Sequence, residues 1–286
     1  MERIFIIIYL GVFICVFSVA LRYIGGLAID YFYNRIKWKT PVNRSEFVNI
    51  NRYLEQHSDY YKHMSLNGKA KFLNRVVQFI NDKNFIGRNG LEVTLEIKTV
   101  IAGSAIQLTF GLEDYLFPFI SNINVYPEDF YLKLIQKKLK GGTSEGGTMF
   151  FSWKDVSAGF EIEDDKLNLG LHEFAHALKI EAANGNGFNH NFNKNLTKLE
   201  KIGATEFNNI RNGSPSFLRK YAGTNYQEFF AVCVEHFFEA SENFANELPD
   251  IYVQLCNLLN QDPRNSRIEY ALTQSQIGIN HQKGMK

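Results

Sequence analysis

The chain has 286 residues, which is enough for one large domain or two small ones with a substantial core. Its 31 basic and 30 acidic residues give a formal net charge of +1, which argues against a nucleic-acid-binding protein that depends on a basic surface. The 25 Phe and 14 Tyr residues are typical of a globular protein rather than a disordered one. Cys15, Cys233 and Cys256 are far apart, so we expect no disulfide framework, as in a reducing compartment.

The segment Ile4–Leu21 carries no charged residue and is long enough, as a helix, to cross a hydrocarbon core. A cleaved signal peptide is the alternative. The apolar run is longer than such peptides need, and no clear small-residue cleavage site follows it. We therefore expect an uncleaved transmembrane helix in a single-pass membrane protein. More basic residues follow the span than precede it, which predicts that the rest of the chain is cytoplasmic.

The chain from residue 38 to 64 is polar and aromatic without a strong period, and is predicted to be a linker with a short helix. Ser65–Asp82 is a clearer helix, because its apolar residues recur at helical spacing. The members of this stripe are Phe72, Leu73, Val76, Val77 and Ile80. Gly87 and Gly90 then bracket a predicted turn.

From Leu91 the apolar residues first alternate with polar ones, as in a strand, and from Ile97 they recur at helical spacing. We predict a short strand over Leu91–Val93, Thr94 as a helix cap, and a helix to about Leu108. A second short strand is predicted around residues 123–125 and is stopped by Pro127.

The stretch Gly141–Gly147 contains four glycines but lacks the Lys-Ser or Lys-Thr that a phosphate-binding loop requires. It is therefore predicted to be a flexible hairpin loop. Thr148–Trp153 follows with high β propensity and is predicted to be a strand.

The apolar segment Leu167–Leu178 contains the motif HExxH, formed by His172, Glu173 and His176. On a helix the two histidines lie one above the other on one face, so both can reach one zinc ion at roughly 2.0–2.1 Å. Glu173 is then placed to take a proton from metal-bound water. The alternative is a core helix with two surface histidines, so a third ligand is required. In zinc peptidases an edge strand often runs beside such a helix and pairs with the extended substrate, and Thr148–Trp153 is the candidate. The alternative is that Thr148–Trp153 is an ordinary strand of the sheet.

Downstream, Glu181–Asn193 is predicted to be a loop and Leu196–Ile210 a surface helix. A turn at residues 212–215 precedes a helix that runs to about Glu239. The last predicted helix is Pro249–Leu259, and the polar tail beyond Pro263 is expected to be frayed.

The position at which some metallopeptidases carry a third histidine is Ala182 here, so a glutamate on a later helix is the remaining common choice. The candidates are Glu200, Glu206, Glu228, Glu235 and Glu239. Glu228 lies in the first turn of an apolar helix, where a carboxylate needs a partner such as zinc. It could equally be the reciprocal residue of a capping box with Asn225, and spacing does not decide between the two. Glu235 lies along the same face and could contact a ligand from behind.

Three separated motifs, His172–Leu178, Tyr221–Asn225 and Glu228–Val232, together resemble the Mlc titration factor A family of gluzincin-type zinc peptidases. The metal site is more distantly similar to the catalytic domain of anthrax lethal factor. The resemblance covers roughly residues 65–265, with the motifs in the family's order. It also includes Phe85–Gly87, Val125–Pro127, Phe151–Val156 and Gln261–Pro263.

This resemblance implies that His172, His176 and Glu228 bind Zn²⁺, that Glu173 is the general base, and that Tyr221 stabilises the oxyanion. One departure concerns the third position after the second histidine, where the family has Asp and this chain has Lys179. Glu181 is the nearest acidic residue that could replace that Asp. The leading membrane span is an addition to the family pattern.

The expected fold is α+β: a mainly helical zincin-like metallopeptidase domain with a small sheet, preceded by one N-terminal transmembrane helix. The expected divisions are an anchor at 1–37, a linker and short helix at 38–64, the peptidase domain at 65–263 and a polar tail at 264–286.

The expected function is zinc-dependent hydrolysis of a peptide or protein substrate, with no direct contact to nucleic acid. The alternative is a membrane-tethered protein that sequesters a transcriptional regulator, with peptidase activity secondary or absent. A third possibility is a fold that zinc stabilises but that does not catalyse.

Overall fold

The structure is a computed structural model, and it describes residues 43–132, 136–144, 146–162, 164–184 and 190–272. The chain divides into two units, Met1–Asn49 and Ile50–Lys286, and the second unit contains the sheet and the helix with the HExxH motif. The predicted transmembrane helix, Ile4–Leu21, lies outside the described residues. Among the helices that the structure does describe, none combines the length and the apolar character needed to cross a bilayer.

The described residues are mainly helical with a small sheet, which confirms the α+β class. The α-helices are α1 (Arg44–His57), α2 (Asp59–Lys62), α3 (Leu66–Asp82), α4 (Leu95–Thr109), α5 (Trp153–Glu161), α6 (Leu169–Asn184), α7 (His190–Arg211), α8 (Tyr226–Glu239), α9 (Ser241–Glu247) and α10 (Pro249–Leu259). The strands are β1 (Asn84–Gly87), β2 (Asn122–Tyr126), β3 (Phe130–Leu132), β4 (Lys137–Leu139), β5 (Gly141–Thr143) and β6 (Thr148–Ser152).

Four strands form one sheet in the order β1-β2-β6-β5. Strands β1, β2 and β6 run parallel, and β5 is antiparallel to β6. The core positions Ile123, Val125, Met149 and Phe151 on the two inner strands are fully buried. Strands β3 and β4 form a separate antiparallel pair.

Helix α6, which carries HExxH, lies at the centre of the core and contacts α4, α5, α8 and β5. Phe174 explains this position, because its ring contacts those of Phe79, Phe117 and Phe151 at centroid distances of 5.7, 5.2 and 5.7 Å. Aromatic contacts at such distances add to the free energy gained from burial. The HExxH motif therefore lies on a helix whose position is fixed by the aromatic packing around Phe174.

The prediction of a strand at Leu91–Val93 is wrong, and the first strand is instead Asn84–Gly87, paired with β2. The alternation that suggested the strand reflects a loop that packs closely on Gly87: a Cβ on that glycine would lie 1.9 Å from the Leu91 carbonyl oxygen. Thr94 does cap α4, since its hydroxyl accepts the Ile97 N–H at 3.3 Å.

The glycine-rich stretch forms the predicted hairpin, but its first three residues are strand β5 rather than loop. Strand β6 ends at Ser152, one residue before the predicted end at Trp153. The Ser152 hydroxyl accepts the Asp155 N–H and so caps α5, a helix that has no counterpart among the predicted elements. In the described sheet β6 is an inner strand and β5 is at the edge. The proposal that Thr148–Trp153 is the edge strand is therefore wrong, because local β propensity carries no information on strand order.

The loop predicted over Glu181–Asn193 is too long, since α6 continues to Asn184 and α7 begins at His190. Tertiary contacts hold this extra turn of helix. Glu181 is buried and its Oε1 accepts the Phe119 N–H at 2.7 Å.

Three other segments are more ordered than the sequence predicts. The described chain before residue 65 contains α1 and α2, and α9 has no counterpart among the predicted elements. The expectation of a frayed tail directly after Pro263 is also wrong. Ser266–Ile268 forms a 3₁₀ turn, and Tyr270 is buried against Tyr60 with ring centroids 4.0 Å apart. The Tyr270 hydroxyl donates to the Tyr60 carbonyl oxygen at 2.6 Å, a contact that no local pattern reveals.

We predict that Tyr270→Ala lowers the free energy of unfolding by about 3 kcal/mol, because it removes a buried ring and leaves a cavity. Urea denaturation followed by circular dichroism measures the change. Leu66→Ala is the control, since Leu66 is 66% exposed, and its effect should stay within about 0.5 kcal/mol. Equal effects for the two variants would show that the tail does not contribute to the core.

Candidate active site

Asn168 fixes the start of the helix that carries the HExxH motif. Its Oδ1 accepts the Leu171 N–H at 2.9 Å, and its Nδ2 donates to the Gly159 carbonyl oxygen at 2.6 Å. One turn later the rings of His172 and His176 meet edge to face, with centroids 4.8 Å apart. Their Nε2 atoms are 3.1 Å apart, so both nitrogens point to the same place.

Glu228 reaches this place from α8. Asn225 caps that helix, as the capping alternative requires, and its Oδ1 accepts the N–H groups of Gln227 and Glu228 at 2.9 Å each. The Glu228 carboxylate, however, faces the histidines: its Oε2 lies 3.1 Å from His172 Nε2 and 3.5 Å from His176 Nε2. Asn225 therefore caps α8, but Glu228 does not act as the reciprocal residue of a capping box. That role would need its carboxylate to accept the Asn225 N–H, and the carboxylate faces the two histidines instead.

The donor set suits a divalent metal ion. One ligand atom from each of His172, His176 and Glu228 lies within 4.8 Å of the others, and no other such His, Cys, Asp or Glu group occurs among the described residues. Two imidazole nitrogens with one carboxylate oxygen are a catalytic zinc-type set that leaves a fourth position open. Burial raises the pKa of Glu228, but the two imidazoles outweigh it and hold the pKa well below its usual range.

Glu235 lies on α8, seven residues after Glu228, and contacts His172 on the side away from the cluster. The side chain is 3% exposed, and its Oε1 lies 2.8 Å from His172 Nδ1. Its Oε2 accepts the Asn168 N–H at 3.0 Å, and Arg219 donates to Oε1. Because Nδ1 is engaged in this way, Nε2 is left as the ligand atom. The contact of Glu235 with His172 is therefore observed, and its role in supporting a bound metal ion stays a prediction.

Glu173 is 6% exposed and its Oε2 accepts no hydrogen bond. Burial is the main cause that raises the pKa of this carboxyl above its ordinary value. A glutamate with a raised pKa is suited to accept and return a proton.

Tyr221 lies on the 3₁₀ turn Lys220–Gly223 and is 50% exposed. Its ring centroid is 6.1 Å from that of His172, and burial together with the Glu228 carboxylate raises the pKa of its hydroxyl. A cleft of about 440 Å³ adjoins this side of the cluster. Among the residues that line it are Lys140, Gly141, Leu167, Glu173, Arg219 and Tyr221.

The other ligand candidates are engaged elsewhere. Glu200 is ion-paired with Lys179 at 2.9 Å, and Glu206 accepts a hydrogen bond from Ser216. Glu239 is outside the cluster, and burial raises the pKa of its carboxyl to about 8. Glu181 is outside the cluster and its Oε1 accepts the Phe119 N–H, so replacement of the family's Asp by Glu181 stays a prediction.

Arg219 is the functional residue that sequence reasoning missed. It contacts Glu235 and lines the cleft, but nothing in its sequence surroundings distinguishes it from the other basic residues. Only its position two residues before Tyr221 could have drawn attention to it.

The sequence pattern of the family described as glucose-regulated metallo-peptidase M90 matches residues 34–259 of this chain. The chain belongs to the M90 metallopeptidase family. An uncharacterized protein of Synechocystis sp. is 28% identical over 68% of this chain and 76% of its own length. Mlc titration factor A of Klebsiella pneumoniae is 27% identical over 73% of this chain and 85% of its own. The protein of that name from Escherichia fergusonii is 27% identical over 68% and 80%.

Membership in M90 agrees with the resemblance to Mlc titration factor A that the motifs carry, and it implies a metal-dependent peptidase. The His172, His176 and Glu228 cluster is the place where an M90 metal ion fits this chain. The more distant similarity to anthrax lethal factor stays a prediction.

We predict that Glu235→Gln weakens Zn²⁺ binding about 10–100-fold, because it removes the charge that orients His172. Competition with a chelating dye measures the affinity. Glu200→Gln is the matched control, since Glu200 is a half-exposed partner of Lys179 and should bind Zn²⁺ like the unchanged protein. If both variants bind the ion with unchanged affinity, Glu235 does not support the ligand.

Proposed function

We propose that this chain is a zinc-dependent peptidase that hydrolyses peptide bonds with an activated water molecule and a glutamate general base. The observation that carries the proposal is the convergence of His172, His176 and Glu228 beside the buried carboxylate of Glu173. Membership in a metallopeptidase family supports it. Zinc is proposed because two imidazoles and one carboxylate are its common catalytic ligand set.

The ion would polarise the scissile carbonyl and lower the pKa of a water molecule toward neutrality. Glu173 would take the proton of this water during attack and deliver it to the leaving amine. Its burial favours this role, because a carboxylate with a raised pKa is a stronger base near neutral pH. Burial of the carboxylate also limits exchange of the proton with bulk solvent.

Tyr221 would donate a hydrogen bond to the oxyanion that forms on the substrate. Its half-exposed ring lies beside His172 at the mouth of the cleft, and its raised pKa keeps the hydroxyl protonated. One such donor contributes about 3–4 kcal/mol to transition-state stabilisation in other hydrolases.

The substrate would lie as an extended peptide along β5, which is the edge strand nearest to Glu173. Addition of a strand to a free sheet edge supplies main-chain hydrogen bonds that do not depend on side-chain identity. The exposed Leu167 and the partly buried Leu139 line the same cleft and would contact substrate side chains.

We predict that Glu173→Gln retains Zn²⁺ but lowers kcat by at least about 100-fold, because the amide cannot accept the proton. A peptide library measures cleavage and metal analysis measures the bound ion. Glu200→Gln should cleave at the wild-type rate. Bound Zn²⁺ without cleavage by the wild-type protein would favour the third possibility, a metal-stabilised fold without catalysis.

A second candidate function is the sequestration of a transcriptional regulator. Relatives of this chain are named Mlc titration factor A, and this name favours a regulator such as Mlc as a partner of this chain. Binding of a regulator does not require proton transfer. Glu173→Gln would therefore leave capture of the regulator unchanged while peptide cleavage is lost, and this separates the two functions.

We also propose that residues 1–37 form an N-terminal membrane anchor and that the peptidase domain lies on the cytoplasmic side. The uncharged segment Ile4–Leu21 supports this arrangement.

The full chain is predicted to stay with the membrane fraction after alkaline carbonate extraction, because a spanning helix is not removed by high pH. Its C-terminus should be digested by protease added to inverted vesicles and protected in intact cells. Recovery in the carbonate supernatant would exclude the anchor.

A further inference from the structure

Strand β5 passes directly over the carboxylate that we assign as the general base. A Cβ built on Gly141 would lie 2.6 Å from Glu173 Oε1, 2.7 Å from Cγ and 2.8 Å from Cδ. Distances below about 3.0 Å are not tolerated by real Cβ atoms, so any side chain at this position would displace the carboxylate. Gly142 and Gly146 of the same hairpin differ, since a Cβ on either would have no neighbour closer than 3.9 and 3.8 Å. A Cβ on Gly147 would lie 2.3 Å from the Phe119 carbonyl oxygen, which is away from Glu173.

The conformation of the backbone does not explain a glycine here. Gly141 is absent from the positive-φ residues, whereas Gly147, later in the same hairpin, has φ 72°. Alanine could therefore adopt the backbone of Gly141, and the three nearest atoms that its methyl group would meet all belong to the Glu173 side chain. Strand β5 is itself held in register by pairing of Gly141 with Phe151, so the strand cannot easily move away.

We propose that Gly141 is a positioning residue for the general base: its missing side chain creates the space in which the Glu173 carboxylate lies against the sheet edge. The proposal rests on the proposed peptidase function of Glu173. Glycine is disfavoured in β-strands. The need for space above the Glu173 carboxylate explains why a glycine is nevertheless present at this position of β5. Strand β5 then has two roles: it lines the cleft, and it sets the position of the Glu173 carboxylate.

The three metal-ligand side chains do not depend on this contact. His172 and His176 are held within α6, and Glu228 is held by α8. A methyl group on Gly141 should therefore move the base and leave the metal site intact. This separation distinguishes a positioning residue from one that is needed for the fold.

The first experiment compares Gly141→Ala with Gly146→Ala, a control in the turn of the same hairpin. We expect Gly141→Ala to lower kcat for a library-selected peptide about 10–100-fold, since a displacement near 1 Å can have that effect. KM should change less than about twofold and Zn²⁺ content should stay at the wild-type level. Wild-type kcat, or loss of Zn²⁺ together with activity, would overturn the proposal.

The second experiment does not depend on activity. Gly141→Ala should lower Tm by about 2–4 °C in the wild-type background and by less than half as much in a Glu173→Ala background, where no carboxylate opposes the methyl group. Gly142→Ala is the control and should have the same small effect in both backgrounds. An equal loss for Gly141→Ala in both backgrounds would overturn the contact.

The two experiments also separate this inference from the proposed function. If the wild-type protein cleaves no peptide, the peptidase function fails and the melting cycle alone decides whether Gly141 sets the position of Glu173. If the wild-type protein cleaves peptides and Gly141→Ala does so equally well, the function stands and the inference fails.

Discussion

The contact between α6 and α8 is the constraint on which the site depends. These helices pack in the apolar core, yet each brings ionisable side chains into their interface. A buried carboxylate without partners would be destabilising by several kcal/mol. Glu235 satisfies its oxygens with His172, Arg219 and the backbone of Asn168, and thereby connects the start of α6 to the middle of α8. The polar groups that hold the metal site thus also fix the relative position of the two helices.

This arrangement places most of the residues of the proposed active site on rigid elements. His172, Glu173 and His176 lie on a helix supported by the Phe174 aromatic cluster, and Glu228 lies on the first turn of a capped helix. Sites built on packed helices hold their geometry more closely than sites built on loops. Tyr221 differs, because it lies on a short 3₁₀ turn and is half exposed. Its position at the mouth of the cleft leaves room for a substrate to approach.

The glycine-rich hairpin shows how far local patterns extend. Four glycines within seven residues favour flexibility, and the sequence accordingly predicts a loop. In the structure, antiparallel pairing with β6 makes the first three residues a strand. Strand order is likewise a property of the whole sheet, which explains why Thr148–Trp153 could be predicted as a strand but not as an inner one.

The sequence by itself determined the elements with strong periods or caps, such as the helix after Ser65 and the helix after Thr94. It also determined that His172 and His176 share a helix face, because i and i+4 geometry is local. Tertiary structure decided which of five glutamates joins them, the engagement of Glu235 and Arg219, and the burial of Tyr270. These depend on contacts between segments far apart in the chain, and the free energy of such contacts leaves no trace in the spacing of residues along it.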